Sequence, residues 1–186
     1  TRENINPNCL KGKYVGQLRE NWYIYSYDHG DHQGHSFYNC INIKTGQQKV
    51  MRSDRIPHQI NNILTNISNG IPEQPKLHES NGEKLVRIWL TEHGIPFEKE
   101  YIFEDLKGIN NGYLRFDFKI KDKPIFIEFQ GEEHYKPIDF FGGEEGFIIR
   151  KIHDNLKKVY CSTHKYKLIE IPYYYENLDD YLIDIL

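Results

Sequence analysis

The sequence predicts an α+β protein in two parts. A small β-rich domain occupies residues 1–67, and a larger domain over residues 80–186 runs helix, three strands, helix, strand. Three observations carry this. The first part is dense in aromatic and β-branched residues with no helical period, as in WYIYSY (22–27) and SFYNCINI (36–43). A stretch with Gly70, Pro72 and Pro75 and little periodicity, residues 68–79, reads as the linker. Beyond it the hydrophobic period switches to that of a helix, then to two, then back.

Composition narrows the function classes. The chain has 186 residues, 38% of them hydrophobic, with Tyr 14 and Phe 10 supplying both core bulk and stacking surface. Net charge is -3, so no global basic field steers the protein to nucleic acid. The balance is uneven. Residues 1–67 carry eight Lys/Arg against five Asp/Glu, and the remainder sixteen against twenty-two. That pattern suits a binding module joined to a carboxylate-rich site. Cys9, Cys40 and Cys161 are far apart and form no CxxC, which predicts reduced thiols in an intracellular protein. No apolar run approaches the length of a membrane span and no secretory signal is visible.

In order along the chain, residues 1–12 are a polar lead-in. The two aromatic strands follow, separated by DHGDHQGH. His29, His32 and His35 alternate there with Asp28 and Asp31. A zinc site is one reading; the two glycines favour a polar hairpin loop. Arg52 and Arg55 follow as candidate nucleic-acid contacts, and residues 61–67 suit a short helix. Ser80 then caps a helix, with Glu83 completing a capping box and Leu85, Ile88 and Trp89 as its apolar stripe. Gly94 and Pro96 end it. Residues 98–104 form a strand. A long helix is expected over 144–161, with Phe147, Ile148, Ile152, Leu156, Val159 and Tyr160 on one face. Arg150, Lys151, Asp154, Lys157 and Lys158 fall on the polar side. Residues 167–171 form the last strand, stopped by Pro172, and a short terminal helix covers 177–186.

The centre of the second part is RFDFKIKDKPIFIEFQGEEHY, residues 115–135, two strands joined by a turn at 121–124. Period two puts Phe116 and Phe118 on one face of the first strand, with Arg115 and Asp117 on the other. On the second strand Ile125, Ile127 and Phe129 share a face, opposite Phe126, Glu128 and Gln130. Asp117 and Glu128 are thereby expected side by side. Two carboxylates on an apolar hairpin are costly to hold without a partner, and a divalent cation is a suitable one. His134 follows directly.

From these residues the stretch 80–172, about half the chain, resembles the PD-(D/E)xK nuclease superfamily. FIEFQGEEHY, then DFFGGEEGF and a charged helix, is most similar to its very-short-patch-repair and EDxHD homing-endonuclease branch, encoded by phages and bacteria. The resemblance implies a mixed four-stranded sheet flanked by helices. It also implies a metal-dependent, sequence-specific DNA endonuclease in the cytoplasm of a bacterial or phage-infected cell. Its expected cofactor is Mg²⁺ or Mn²⁺ on Asp117 and Glu128, with His134 moving the proton. Gln130 stands where the superfamily often has Lys; it cannot carry charge but can orient a water or a metal ligand in the catalytic site. Glu83 reads equally as a cap or as the helix glutamate near the metal. Asp154 reads equally as a solvated helix residue or the last acid of the signature, and Lys158 as a phosphate contact or a surface lysine. The expected partner is double-stranded DNA, with a homodimer on DNA as one arrangement the sequence leaves open, and no membrane. Two other readings stay open: a nuclease-fold protein that binds nucleic acid without cutting it, and an RNA-directed enzyme.

Overall fold

The structure, a computed structural model, describes residues 13–59, 79–109 and 112–183. The lead-in with Cys9, the helix expected over 61–67 and all but the last residue of the linker expected over 68–79 lie outside the described residues. The chain divides into two compact units, Thr1–Ile71 and Pro72–Leu186. The fold is α+β, and each unit holds a four-stranded sheet.

In the first unit, β1 (Leu18–Arg19), β2 (Trp22–Gly30), β3 (Ser36–Asn42) and β4 (Gln48–Arg52) pair in sequence order, all antiparallel. The pairs Ile24↔Cys40 and Tyr38↔Met51 place these four side chains in one core with Ile56. The turn after β2 is held locally: Asp31 Oδ1 accepts the N–H groups of Gln33 and His35, 2.9 Å each. His29 is part of β2 and stacks on Phe37, ring centroids 4.3 Å apart.

The second unit opens with α1 (Asn81–Glu92). Ser80 caps it as the capping box requires, its Oγ accepting the Glu83 N–H. Gly94, at φ +64, ends it. The buried stripe is Val86, Trp89 and Leu90; Leu85, expected to be apolar core, is 47% exposed. The true stripe lies one position further along the helix. Strands β5 (Phe97–Lys107), β6 (Tyr113–Ile120) and β7 (Ile125–Gln130) are antiparallel neighbours, and β8 (Lys167–Pro172) lies parallel to β7. A parallel neighbour needs a crossover, and α2 (Gly143–Thr163) lies within it. A short α3 (Asp179–Leu182) closes the unit. Among the described residues no helix is long and apolar enough to cross a membrane.

The sheet is covered on both faces. Val86, Trp89 and Leu90 of α1 pack on Phe118, Ile120, Ile127, Ile169 and Ile171, joined by Leu182. On the other face the rings of Phe103, Phe116 and Phe126 meet one another and Tyr160 of α2. Each fully buried side chain of this size contributes roughly 1.5–3 kcal/mol.

One expectation fails here. Phe116 and Phe118 do not share a face: Phe118 packs with α1, Phe116 with the aromatic layer against α2. The neighbouring strand turns over at the same level, with Phe97 against Phe118 but Phe103 against Phe116. At that level Glu100 sits mid-strand in β5 at φ +52. Left-handed backbone costs a non-glycine residue about 1–2 kcal/mol. It breaks the alternation of β5 between Lys99 and Tyr101. The pairs Lys99↔Phe118 and Tyr101↔Phe116 flank it and set Glu100 opposite Asp117.

Candidate functional site

The face swap brings carboxylates together. One oxygen from each of Glu83, Glu100 and Asp117 lies within 4.8 Å of the other two. Each is placed by a different element. Glu83 stands in the first turn of α1, where the cap hydroxyl of Ser80 donates to its Oε1 at 2.8 Å. That turn lies tight against the sheet, because a Cβ at Gly82 would run into the Phe129 ring. Glu83 is therefore both cap partner and site residue. Glu100 comes from the strained point of β5. Asp117 comes from β6 where pairing with β7 is given up: beyond Phe118↔Ile127, Asp117 Oδ2 accepts the Phe129 N–H at 2.8 Å. Three hard oxygen donors from rigid elements fit Mg²⁺ or Mn²⁺ and suit soft metals poorly.

Glu128 is placed differently from the expectation. It is buried beside Asp117 in the same cleft, but both its oxygens accept from Lys157 Nζ, 2.8 Å each. Burial pushes its pKa up, the Lys157 ammonium pulls it back, and the charges of Asp117 and Asp154 add to the push. Burial also works against the Lys157 ammonium, yet Glu128 and Asp117 outweigh it and raise its pKa. The oxygen cluster that could hold a metal thus joins Asp117 to Glu83 and Glu100 rather than to Glu128.

His134 and Asp154 meet as a second pair, His134 Nδ1 to Asp154 Oδ2 at 2.9 Å. A carboxylate acceptor fixes the proton on Nδ1 and leaves Nε2 as the basic nitrogen. Asp154 is 7% exposed, so the solvated-helix reading of it fails. The helical wheel misassigned it because α2 carries a polar stripe turned inward. Arg150, His153, Asp154 and Lys157, at i, i+3, i+4 and i+7, all line the cleft. Burial lowers the pKa of His153 to about 4, and its Nε2 accepts the Ile109 N–H at 3.1 Å as a neutral ring would.

These groups border one open cleft of about 680 Å³ within the second unit. Six carboxylates and three cationic side chains line it. A phosphate would meet net negative charge there unless a cation intervened.

Other expected site residues lie elsewhere. Gln130 is buried, 5% exposed, and is not part of the cleft lining. It stands at the end of β7, where it pairs with Pro172 of β8. Lys158 pairs with Glu170 at 2.9 Å, outside the cleft. Arg52 is gripped by both oxygens of Asp54, at 2.6 and 2.7 Å. Arg55 closes the short helical turn after β4 and is exposed. Asp28 and Asp31 pair with His29 and His35 in the first unit. Glu100 and Lys157 went unread as site residues. The register of a β5–β6 hairpin would have set Glu100 across from Asp117, and the polar stripe of α2 would have pointed to Lys157.

Two viral proteins are similar in sequence. Uncharacterized protein 307L of Invertebrate iridescent virus 6 is 29% identical over 133 residues, covering 62% of this chain and 68% of that protein. Uncharacterized protein 094L of Frog virus 3 (isolate Goorha) is 35% identical over 75 residues, covering 39% of this chain and 48% of that protein. No family model and no solved structure matches.

Proposed function

We propose that the second unit hydrolyses phosphodiester bonds of double-stranded DNA with the help of one or more divalent cations. The observation that carries this is the convergence, in one cleft, of the trio Glu83, Glu100 and Asp117 with the His134–Asp154 pair. The order helix, three strands, helix, strand and the mixed sheet agree with the nuclease resemblance read from residues 80–172.

In this reading Glu83, Glu100 and Asp117 hold Mg²⁺ or Mn²⁺. The bound ion would polarise the scissile phosphate and lower the pKa of a water. Asp154 orients His134 and stabilises its protonated form, so Nε2 takes a proton from the attacking water or delivers one to the leaving oxygen. Arg150, held by the Phe141 carbonyl and lying 5.2 Å from the Phe141 ring centroid, offers a guanidinium to the DNA backbone at the rim. The first unit, net +3 over residues 1–67, is assigned to site recognition. Homing and restriction both fit such a sequence-specific cutter.

The test is side-by-side incubation of duplex DNA, single-stranded DNA and RNA with Mg²⁺ and with EDTA. Cutting of the duplex, with Mg²⁺ only, is the expected result. Cation-dependent cutting of RNA alone would replace the substrate. Binding of duplex without cutting under any cation would leave a nucleic-acid-binding protein.

A further inference from the structure

The cleft carries a cation of its own. Lys157 buries its stem until the side chain is 12% exposed and ends with Nζ against both oxygens of Glu128. The ammonium stands 5.3 Å from the centroid of the Phe116 ring, which supports a positive charge from its apolar side. Asp117 lies between two sets of neighbours. Glu83 and Glu100 share its oxygen cluster, while Glu128 and Lys157 feel its charge. Two-metal phosphodiesterases place two cations about 3.5–4 Å apart, one for the attacking and one for the leaving oxygen. Here the carboxylate beside the trio, Glu128, already holds a positive charge on both its oxygens.

From this arrangement we infer that Lys157 Nζ is the resident occupant of the second cation position, so that the protein takes one divalent ion rather than two. The inference rests on the metal-dependent reading above and names the cation stoichiometry of that same site. An ammonium has three N–H donors. Two are spent on Glu128 Oε1 and Oε2, and the third is left for a phosphate oxygen. Lys157 then supplies, without a dissociable metal, part of the charge stabilisation that a second ion supplies elsewhere. It also restores the cationic group that Gln130 cannot provide, from a helix instead of from the strand. A second ion is kept out because Glu128 has both oxygens engaged. Displacing the lysine would also leave a largely buried ammonium without its counter-charge. A merely structural lysine, present to neutralise a buried glutamate, predicts no such link to stoichiometry.

Calorimetric titration of the full chain with Mn²⁺ reads the number of ions directly. Wild type should bind one. Lys157→Met, which keeps the length of the stem and removes the charge, should bind two. Lys157→Met combined with Glu128→Gln should return to one. Glu128→Gln alone keeps the lysine and provides a second line of evidence should Lys157→Met not fold. It should still bind one ion, because Glu128 is not a ligand of the first. Two ions on wild type, one ion on folded Lys157→Met, or loss of the first ion in Glu128→Gln would each overturn the inference while leaving a metal site standing. No ion on wild type would instead overturn the metal-dependent reading, and this inference with it.

Discussion

Among the described residues, the buried polar side chains divide unevenly between the two units. Ser36 is in the first; Glu83, Asp117, Glu128, Gln130, Asp154 and Asn155 are in the second. Both units build a four-stranded sheet on aromatic cores, and both contain charged pairs. Both have local exposed pairs, Lys136–Glu132 among them in the second, but the pairs at the cleft differ in reach. In the first unit Asp28–His29, Asp31–His35 and Arg52–Asp54 join residues one to four apart, on side chains about 30–50% exposed. In the second, His134–Asp154 and Glu128–Lys157 join residues 20 and 29 apart, on side chains at most 18% exposed. A local exposed pair forms wherever the sequence offers it and contributes ~0–1 kcal/mol. A buried pair recruited across the fold must offset desolvation of several kcal/mol per ion. Both recruited pairs lie at the one cleft to which the proposed function is assigned.

The largest expected difference between the units comes from removing one carboxylate in each. Asp117→Ala should lower the single-turnover cleavage rate by ~10³-fold or more, the scale of losing several kcal/mol of metal-supplied charge stabilisation. Asp31→Ala, which loosens the β2–β3 turn, should leave that rate within about twofold, as surface substitutions away from a site do. Equal damage from both would erase the distinction drawn between local and recruited charge.

His134→Ala follows, with a rate lower by ~10²–10⁴ at saturating cation and unchanged cation affinity, since it lies outside the trio. Asp154→Asn, which keeps the shape of the ring's partner but removes its charge, should also lower the rate. A rate unchanged in both variants would make His134 a packing residue.

Glu100 sharpens the comparison because its cost and its use sit in one residue. Glu100→Gly relieves left-handed strain of about 1–2 kcal/mol, which for a chain of this size raises the melting temperature by roughly 2–8 °C. The same change should weaken cation binding, by ~10-fold for the loss of one of three carboxylates, a few kcal/mol at most of hard-donor attraction. A lower melting temperature in the absence of metal would remove strain from the account.

Much of this was legible in the sequence where a local rule governs. The capping residues Ser80 and Glu83, the turn over 121–124 and the strand–helix–strand order all follow from neighbours a few residues apart. So did the nearness of Asp117 to Glu128 and the place of His134 at the same cleft. Three features were not legible, for one reason. The overturned backbone at Glu100 has no side-chain signature. The burial of Lys157 depends on a glutamate 29 residues away. The capture of Lys158 depends on Glu170 across the fold. A lysine on a helix looks the same in sequence whether it meets water or a buried carboxylate.

The smallest effect concerns His153. Burial holds its folded-state pKa at about 4, below its ordinary value of 6.5. Between those values the unfolded chain binds more protons, so stability rises with pH there. The neutral ring's contribution is complete above about 6.5 and is lost as pH falls through about 4. In His153→Gln, melting temperature should depend less steeply on pH across that window. An unchanged slope would mean the ring titrates as it does in water.

The central claim is that the carboxylates of the second unit act through a divalent cation on a phosphodiester. Nicking of supercoiled plasmid by the wild-type protein, followed as Mg²⁺ is added and then removed with excess EDTA, tests it most directly. The account predicts nicks that appear with Mg²⁺, stop with EDTA and resume when Mg²⁺ is restored. Undiminished nicking in EDTA would contradict it.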